Sequence, residues 1–215
     1  MRKSVVLALC AVGLMAGLFY VRKGILFCIA IIAVELPYRA TYSILQTLHD
    51  AGLNINAQGG DGDTLLHHAM TVQKIKWLLD KGASPNIVDD RGDTPLIKLS
   101  RMDQYWRDIS MAKALIDGGA DVNIRNNQGE TALHFIAGMK LFTANEESSR
   151  NAHQAIVDYI KLYLNHGADQ NVKDKAGNTP LMNAIWAENT ETIKLLEQAS
   201  LCQTKVISSA FYQSD

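Results

Sequence analysis

Six histidines are the first residues to weigh for chemistry: His49, His67, His68, His134, His153 and His166. Clustered imidazoles would point to a metal or to proton transfer near neutral pH. The acids Asp61, Asp63, Asp89 and Asp90 are the second group, since a pair of carboxylates can share general acid and base work. Such a pair needs a pocket and convergence from separate elements. These acids fall instead where turns and helix starts are expected, and carboxylates there satisfy orphan backbone N–H groups. The glycine run Gly59-Gly60-Asp61-Gly62 lacks the following Lys-Ser/Thr of a phosphate-cradling loop and does not join a strand to a helix. No serine or cysteine lies in a nucleophile motif. Cys10, Cys28 and Cys202 have no metal-type spacing, and two of the three sit in an apolar leader, so no disulfide framework is indicated. Neither catalysis, a cofactor, a metal nor a small-molecule substrate is expected.

The elements that hold these residues are recurrent. Asp117-Gly118-Gly119-Ala120-Asp121-Val122-Asn123 reads as a helix end and a tight turn, followed by a finger and then by Gly129-Glu130-Thr131-Ala132-Leu133-His134. The same pattern runs from Gly52 through Asn56 to Gly62-Asp63-Thr64-Leu65-Leu66-His67. It runs again from Gly82 through Asn86 to Gly92-Asp93-Thr94-Pro95-Leu96-Ile97, and from Gly167 through Asn171 to Gly177-Asn178-Thr179-Pro180-Leu181-Met182. In all four copies the glycine before the threonine lies six residues after the asparagine, so the finger has constant length. Glycine can adopt the left-handed conformation that ends a helix. The threonines can cap the next helix, and Pro95 and Pro180 then stand at the first helical position, where a missing N–H costs little.

A GADVN-type turn followed by G-x-T-P-L-H-x-A resembles the ankyrin repeat. The resemblance covers residues 38–200 and implies an all-α ankyrin-repeat solenoid, helix-turn-helix units with β-hairpin fingers. His67 and His134 occupy the histidine place of that motif, where the resemblance implies a ring bonded to backbone that ties neighbouring fingers together. Ile97 and Met182 stand there in the other copies, so no histidine ladder is expected. His153 and His166 are read as surface or helix-end residues.

A capping helix is expected at 38–51, with Tyr42, Leu45 and Leu48 on one face. Repeats follow at about 52–81, 82–118, 119–166 and 167–200. The first is given helices near 64–70 and 72–80 and a core of Leu65, Leu66, Ala69, Ile75, Leu78 and Leu79. The fourth is given helices near 180–187 and 190–199, and 201–215 is left as a cap or tail. The asparagines are 30, 37 and 48 residues apart, against about 33 for a standard unit. The surplus of the second repeat falls around 101–108, and that of the third around 140–153. Both lie between the two helices of their repeat, and per-repeat insertions commonly mark a binding face. Trp77 and Trp186 are read as packing residues. Trp106, beside Tyr105 in an insertion, either fills a satellite core or anchors a partner.

Residues 1–37 differ in composition. After Arg2 and Lys3, Ser4 to Val21 is an apolar run of 18 residues without a charge, the lower length for a membrane-spanning helix. Readings as an uncleaved anchor, a cleaved signal segment or a buried helix stay open. Gly24 to Leu36 is a shorter apolar run that either continues the anchor, lies at the interface, packs on the first repeat or forms the second limb of a hairpin. Arg2 and Lys3 favour a cytoplasmic N-terminus and extracytoplasmic repeats, while Arg22 and Lys23 favour the reverse. The formal net charge of −1, with charged residues at 20%, gives no electrostatic case for nucleic acid.

The resemblance implies a protein-binding scaffold, like the small membrane-led ankyrin proteins of bacteria. Some of those act as immunity proteins against a secreted toxin, or as partners of periplasmic enzymes. The residues expected to meet a protein partner are Tyr105, Trp106, Arg107, Phe142, Glu146, Glu147 and Arg150 on the insertions, and Gln58, Asp89, Arg125 and Lys173 at the finger tips. The other function to weigh is an assembly factor of a membrane complex, working through the Gly13 and Gly17 small-xxx-small pattern of the leader.

Overall fold

The start of each helix pair is fixed by a threonine in extended conformation. Thr94 and Thr179 accept on Oγ1 from the N–H groups of Ile97 (3.2 Å) and Met182 (3.3 Å), and each is followed by a proline. Thr64 and Thr131 have no following proline. Their own N–H groups donate to Nδ1 of His67 (3.0 Å) and His134 (3.1 Å), with each Oγ1 at 2.9 Å from the same nitrogen. Proline in two copies and histidine in the other two are therefore alternative ways to close one kind of helix start.

The computed structural model describes residues 45–102, 108–140 and 146–211, with backbone alone at 146–151 and 201–211. The leader, Tyr42 and the start of the expected capping helix lie outside these residues, as do Tyr105, Trp106, Arg107 and Phe142. The chain divides into two compact units between Ser84 and Pro85. In the first unit, residues 45–50 form helix α1. A 3-10 turn, Leu65–His68, and helix α2, Val72–Asp80, follow. Leu45, Leu48, Leu53, Ile55, Leu65, Leu66, Ala69, Ile75 and Leu78 are buried. Leu79, expected among them, is half-buried. The single 3-10 turn stands where an α-helix over 64–70 was expected. Ala69 is already extended, and Thr71 caps α2 by accepting from Lys74 N–H at 3.3 Å. The short asparagine spacing of this copy thus shortens its first helix.

In the second unit the helices are α3 (Pro95–Arg101), α4 (Ile109–Asp117), α5 (Ala132–Ala137), α6 (Glu146–Asn165), α7 (Pro180–Trp186) and α8 (Thr190–Phe211). Helix α5 packs between α3 and α7, and α6 packs between α4 and α8, giving two layers joined through α3–α4, α5–α6 and α7–α8. Leu96, Ile97, Leu99, Met111, Leu115, Leu133, Ile136, Ile160, Tyr163 and Leu196 fill the space between layers. Buried Tyr163 of α6 reaches Ser100 of α3, hydroxyl to hydroxyl at 2.7 Å, and the Ser100 hydroxyl lies 2.8 Å from the Leu96 carbonyl.

Three expectations change here. Among the described residues there is no strand. Each finger is a run of turns closed by one N–H···O=C bond across four residues: Gly59 to Asp63 at 2.8 Å, and Asp89 to Asp93, Asn126 to Glu130 and Asp174 to Asn178 at 2.9 Å. The threonine cap follows at once and leaves no length for a ladder. Residues 146–153, expected within a loop, belong to α6, so this polar surplus is added helix. Helix α8 continues to Phe211, past the expected end of the fourth copy at 200.

Candidate partner-binding surface

The asparagine that opens each of the first three fingers acts as a clamp. Asn56 donates from Nδ2 to the Gly82 carbonyl (3.0 Å) and accepts on Oδ1 from Ser84 N–H (2.8 Å). Asn86 does the same with Gly119 (3.0 Å) and Asp121 (2.9 Å), and Asn123 with Gly167 (2.9 Å) and Asp169 (2.8 Å). A primary amide carries a donor and an acceptor side by side, so one side chain satisfies both orphan groups of the following turn. This role was not assigned from sequence. Its signal was there, an asparagine at constant distance before every finger glycine.

Three residues further on, a second side chain folds the finger onto itself. Oδ1 of Asp89 accepts from the N–H groups of Arg91 and Asp93, both at 2.8 Å. Asn126 and Asp174 repeat this with Gln128 and Glu130, and with Ala176 and Asn178. Gly59 stands at this place in the first finger, and Gln58 takes over by donating to the Gly62 carbonyl at 2.8 Å. Fingers of the second unit are also joined by backbone, Asn127 N–H to Arg91 O at 2.9 Å and Lys175 N–H to Gln128 O at 2.8 Å.

The four finger positions expected to meet a partner therefore differ. Gln58 is exposed and Asp89 half-buried, and both shape their own fingers. Arg125 is exposed but donates to the carbonyls of Gly129 (3.1 Å) and Lys173 (2.6 Å), spanning two fingers. Lys173 accepts that bond through its backbone and has an exposed side chain.

His134 behaves as the resemblance implied. Because Thr131 N–H donates to Nδ1, the proton of the neutral ring resides on Nε2, which lies 3.3 Å from the Asn178 carbonyl of the next finger. Burial holds its pKa below the ordinary value of 6.5, against the opposing pull of that carbonyl and of Asp174 and Glu130. Burial raises Asp174, but its bonds from Asn178 and Ala176 and the nearby ring outweigh this and hold it below the ordinary carboxylate value.

Glu146, Glu147 and Arg150 stand on the first turns of α6. From residue 152 on, the first buried residue of that helix is Ile156. The two tryptophans read as packing residues part company. Trp77 is half-buried, edge-on to His49 with ring centres 6.5 Å apart, and Lys81 Nζ lies 5.8 Å from its centre. Trp186 is 62% exposed, with Met182 and Ile185 at 44% and 50%. All three occupy one helical face, so the packing role expected for Trp186 is corrected: α5 lies against a different side of α7.

A family model described as ankyrin repeats matches the chain in three copies, over residues 30–126, 71–144 and 105–205. A protein of Rickettsia felis named as an ankyrin repeat protein is 37% identical over 167 residues, which is 74% of this chain and 53% of that protein. The chain thus spans about half the length of this relative. The model matches span most of the sequence, and clamped turns, looped fingers and paired helices recur in register with them: the chain belongs to the ankyrin-repeat family.

Proposed function

We propose that the chain is a non-catalytic protein-binding module of four ankyrin repeats, tethered to a membrane by its leader. The observation that carries this reading is the N-terminal part of α6. It is a polar run, Glu146 to Asn151, within a repeat longer than the standard unit. Together with the 101–108 surplus it forms an edge on which Tyr105, Trp106, Arg107, Phe142, Glu146, Glu147 and Arg150 meet the partner. The finger tips at Gln58, Asp89, Arg125 and Lys173 are a secondary contact. The partner is a secreted or periplasmic protein, which the module neutralises or protects as an immunity protein would.

The tether is residues 4–21, and the repeats face the extracytoplasmic side. The family match begins at residue 30, inside the second apolar run. Gly13 and Gly17 favour a second reading, an assembly factor of a membrane complex. Exchange of the leader for an unrelated anchor separates the two: it leaves partner binding intact in the first reading and abolishes it in the second.

The test is titration calorimetry of the full-length protein with its co-purified partner. Trp106→Ala should weaken binding by about 2 kcal/mol or more if the side chain is an anchor, with the melting temperature unchanged. Unchanged affinity in this variant, and in one with 144–151 replaced by a short Gly-Ser loop, overturns the edge and moves the contact to the finger tips.

A further inference from the structure

The apolar face of α7 continues a row of helix contacts beyond its last described member. Counting from the capping threonine, Met182 and Ile185 correspond to Ile97 and Ser100 in α3 and to His134 and Ala137 in α5. Those four are at most 1% exposed, in helices against which the next repeat packs: α5 on α3, with Tyr163 of α6 at Ser100, and α7 on α5. Arg101 of α3 even lies over the ring of Phe135 in α5, 5.2 Å from its centre. In α7 the same face is open: Met182, Ile185 and Trp186 are 44%, 50% and 62% exposed. Stacked repeats close such a face with the next unit, and clustered exposed apolar side chains mark an interaction site.

The charges around α7 identify what fits there. The chain enters α7 from a finger with exposed Lys173 and Lys175, and leaves it at exposed Glu188 and Glu191. Helix α7 has 7 residues, a length of about 10 Å, so in chain order lysines precede and glutamates follow one short apolar face. An identical helix laid antiparallel sets the cations of each copy beside the acids of the other, whereas a parallel one sets like charges together. Glu188 is also the one non-glycine residue with positive φ (57°) among the described residues. An uncommon backbone conformation is thus held at the acidic end of the face.

We propose that Met182, Ile185 and Trp186 pair two copies of this chain about a two-fold axis, with Lys173 and Lys175 of each facing Glu188 and Glu191 of the other. Such a contact is self-complementary and closes on itself. Its apolar centre is small beside the ~1,600 Å² of a standard interface, so the dimer should dissociate in the micromolar range.

Sedimentation velocity of the full-length protein in mild detergent, over about 1–100 µM, reads this directly against the micromolar scale of affinities. Wild type should pass from monomer to dimer. Trp186→Ser should raise the dimer Kd at least tenfold with no change in thermal melt, since the side chain is mostly exposed. Reversal of one end, K173E/K175E, should also dissociate the dimer. Adding E188K/E191K to the same chain should restore it, because both copies then carry the exchanged charges. A wild type that stays monomeric overturns the proposal and leaves the face to a foreign helix. A dimer insensitive to every variant overturns it in favour of the leader as the contact. Failure of the combined reversal to restore a dimer, with the fold intact by melt, overturns the antiparallel arrangement.

Discussion

Gly118 and Gly119 look interchangeable in the sequence, and the backbone distinguishes them. Gly119 has φ +92°, where a side chain is strained, while Gly118 has φ −84°. A Cβ on Gly119 meets nothing within 4 Å, so the strain alone sets the cost. Gly119→Ala should therefore destabilise by about 1–3 kcal/mol and Gly118→Ala by far less; thermal melts of the two variants check this. At Gly92 sterics add to strain, because a Cβ would lie 2.6 Å from Asn127 N and 2.7 Å from its Oδ1, in the neighbouring finger. Gly92→Ala should then cost more than Gly119→Ala. His134 supplies a pH dependence. Its folded pKa is below the ordinary 6.5, so over the interval between the two values the unfolded chain binds more protons. Its contribution is complete above about pH 6.5 and is lost as pH falls from there toward the folded value. Protonation of Nδ1 would also break the bond from Thr131 N–H. His134→Met, the residue at the equivalent place in α7, should flatten the fall in melting temperature between pH 7.5 and pH 5.5. An unchanged slope would assign that fall to other groups. The position of these histidines could be read from the motif, but the tautomer and the carbonyl of the next finger could not, since both depend on a neighbour 44 residues away.

At the level of elements, sequence reading succeeded where one local rule decided the outcome. Capping threonines, N1 prolines and turn glycines fixed where each helix pair starts, because each acts on its immediate neighbours, but not the extent of the second helices, α6 from Glu146 and α8 to Phe211. It failed where the answer depends on what lies opposite. Periodicity cannot tell an exposed helical tryptophan from a buried one, and Trp186 was misread for that reason. Polar composition cannot tell a loop from a solvated helix turn, so 146–153 was assigned to an insertion rather than to α6. The length of a finger was legible, but its lack of a ladder was not. The packing of α6 makes a prediction of its own. From residue 152 on its first buried residue is Ile156, and replacing the polar stretch 144–151 by a short Gly-Ser loop should leave the melting temperature nearly unchanged. Tyr163→Phe lies deep in the same helix and removes the hydroxyl that meets Ser100. It should cost about 1 kcal/mol, with the Ser100 hydroxyl still beside the Leu96 carbonyl. A larger loss from the loop replacement than from Tyr163→Phe would mean that the first turns of α6 serve the core.

For the whole chain, composition alone is uninformative: a net charge of −1 and hydrophobic content of 47% are ordinary values. The distribution carries the information. Among the described residues no helix is long and apolar enough to cross a membrane. Even α8, at 22 residues, is interrupted by Glu191, Lys194, Glu197 and Lys205. The charge-free run Ser4 to Val21 has 18 residues, which as a helix is about 27 Å and comes close to the ~30 Å hydrocarbon thickness. The proposed tether therefore depends on this run, and its removal should leave a soluble repeat region. Alkaline carbonate strips proteins held by charge or by other proteins and spares those with a spanning helix. Full-length protein should stay in the membrane pellet after such extraction. Val12→Arg combined with Leu14→Arg should move it to the supernatant, because a charge at the bilayer centre costs about 2.5–3.5 kcal/mol for each residue. Mature protein recovered in the soluble fraction without residues 1–30 would overturn the tether and make the leader a cleaved signal. A pellet fraction unaffected by the two arginines would place the attachment elsewhere, with Gly24 to Leu36 next to be tested.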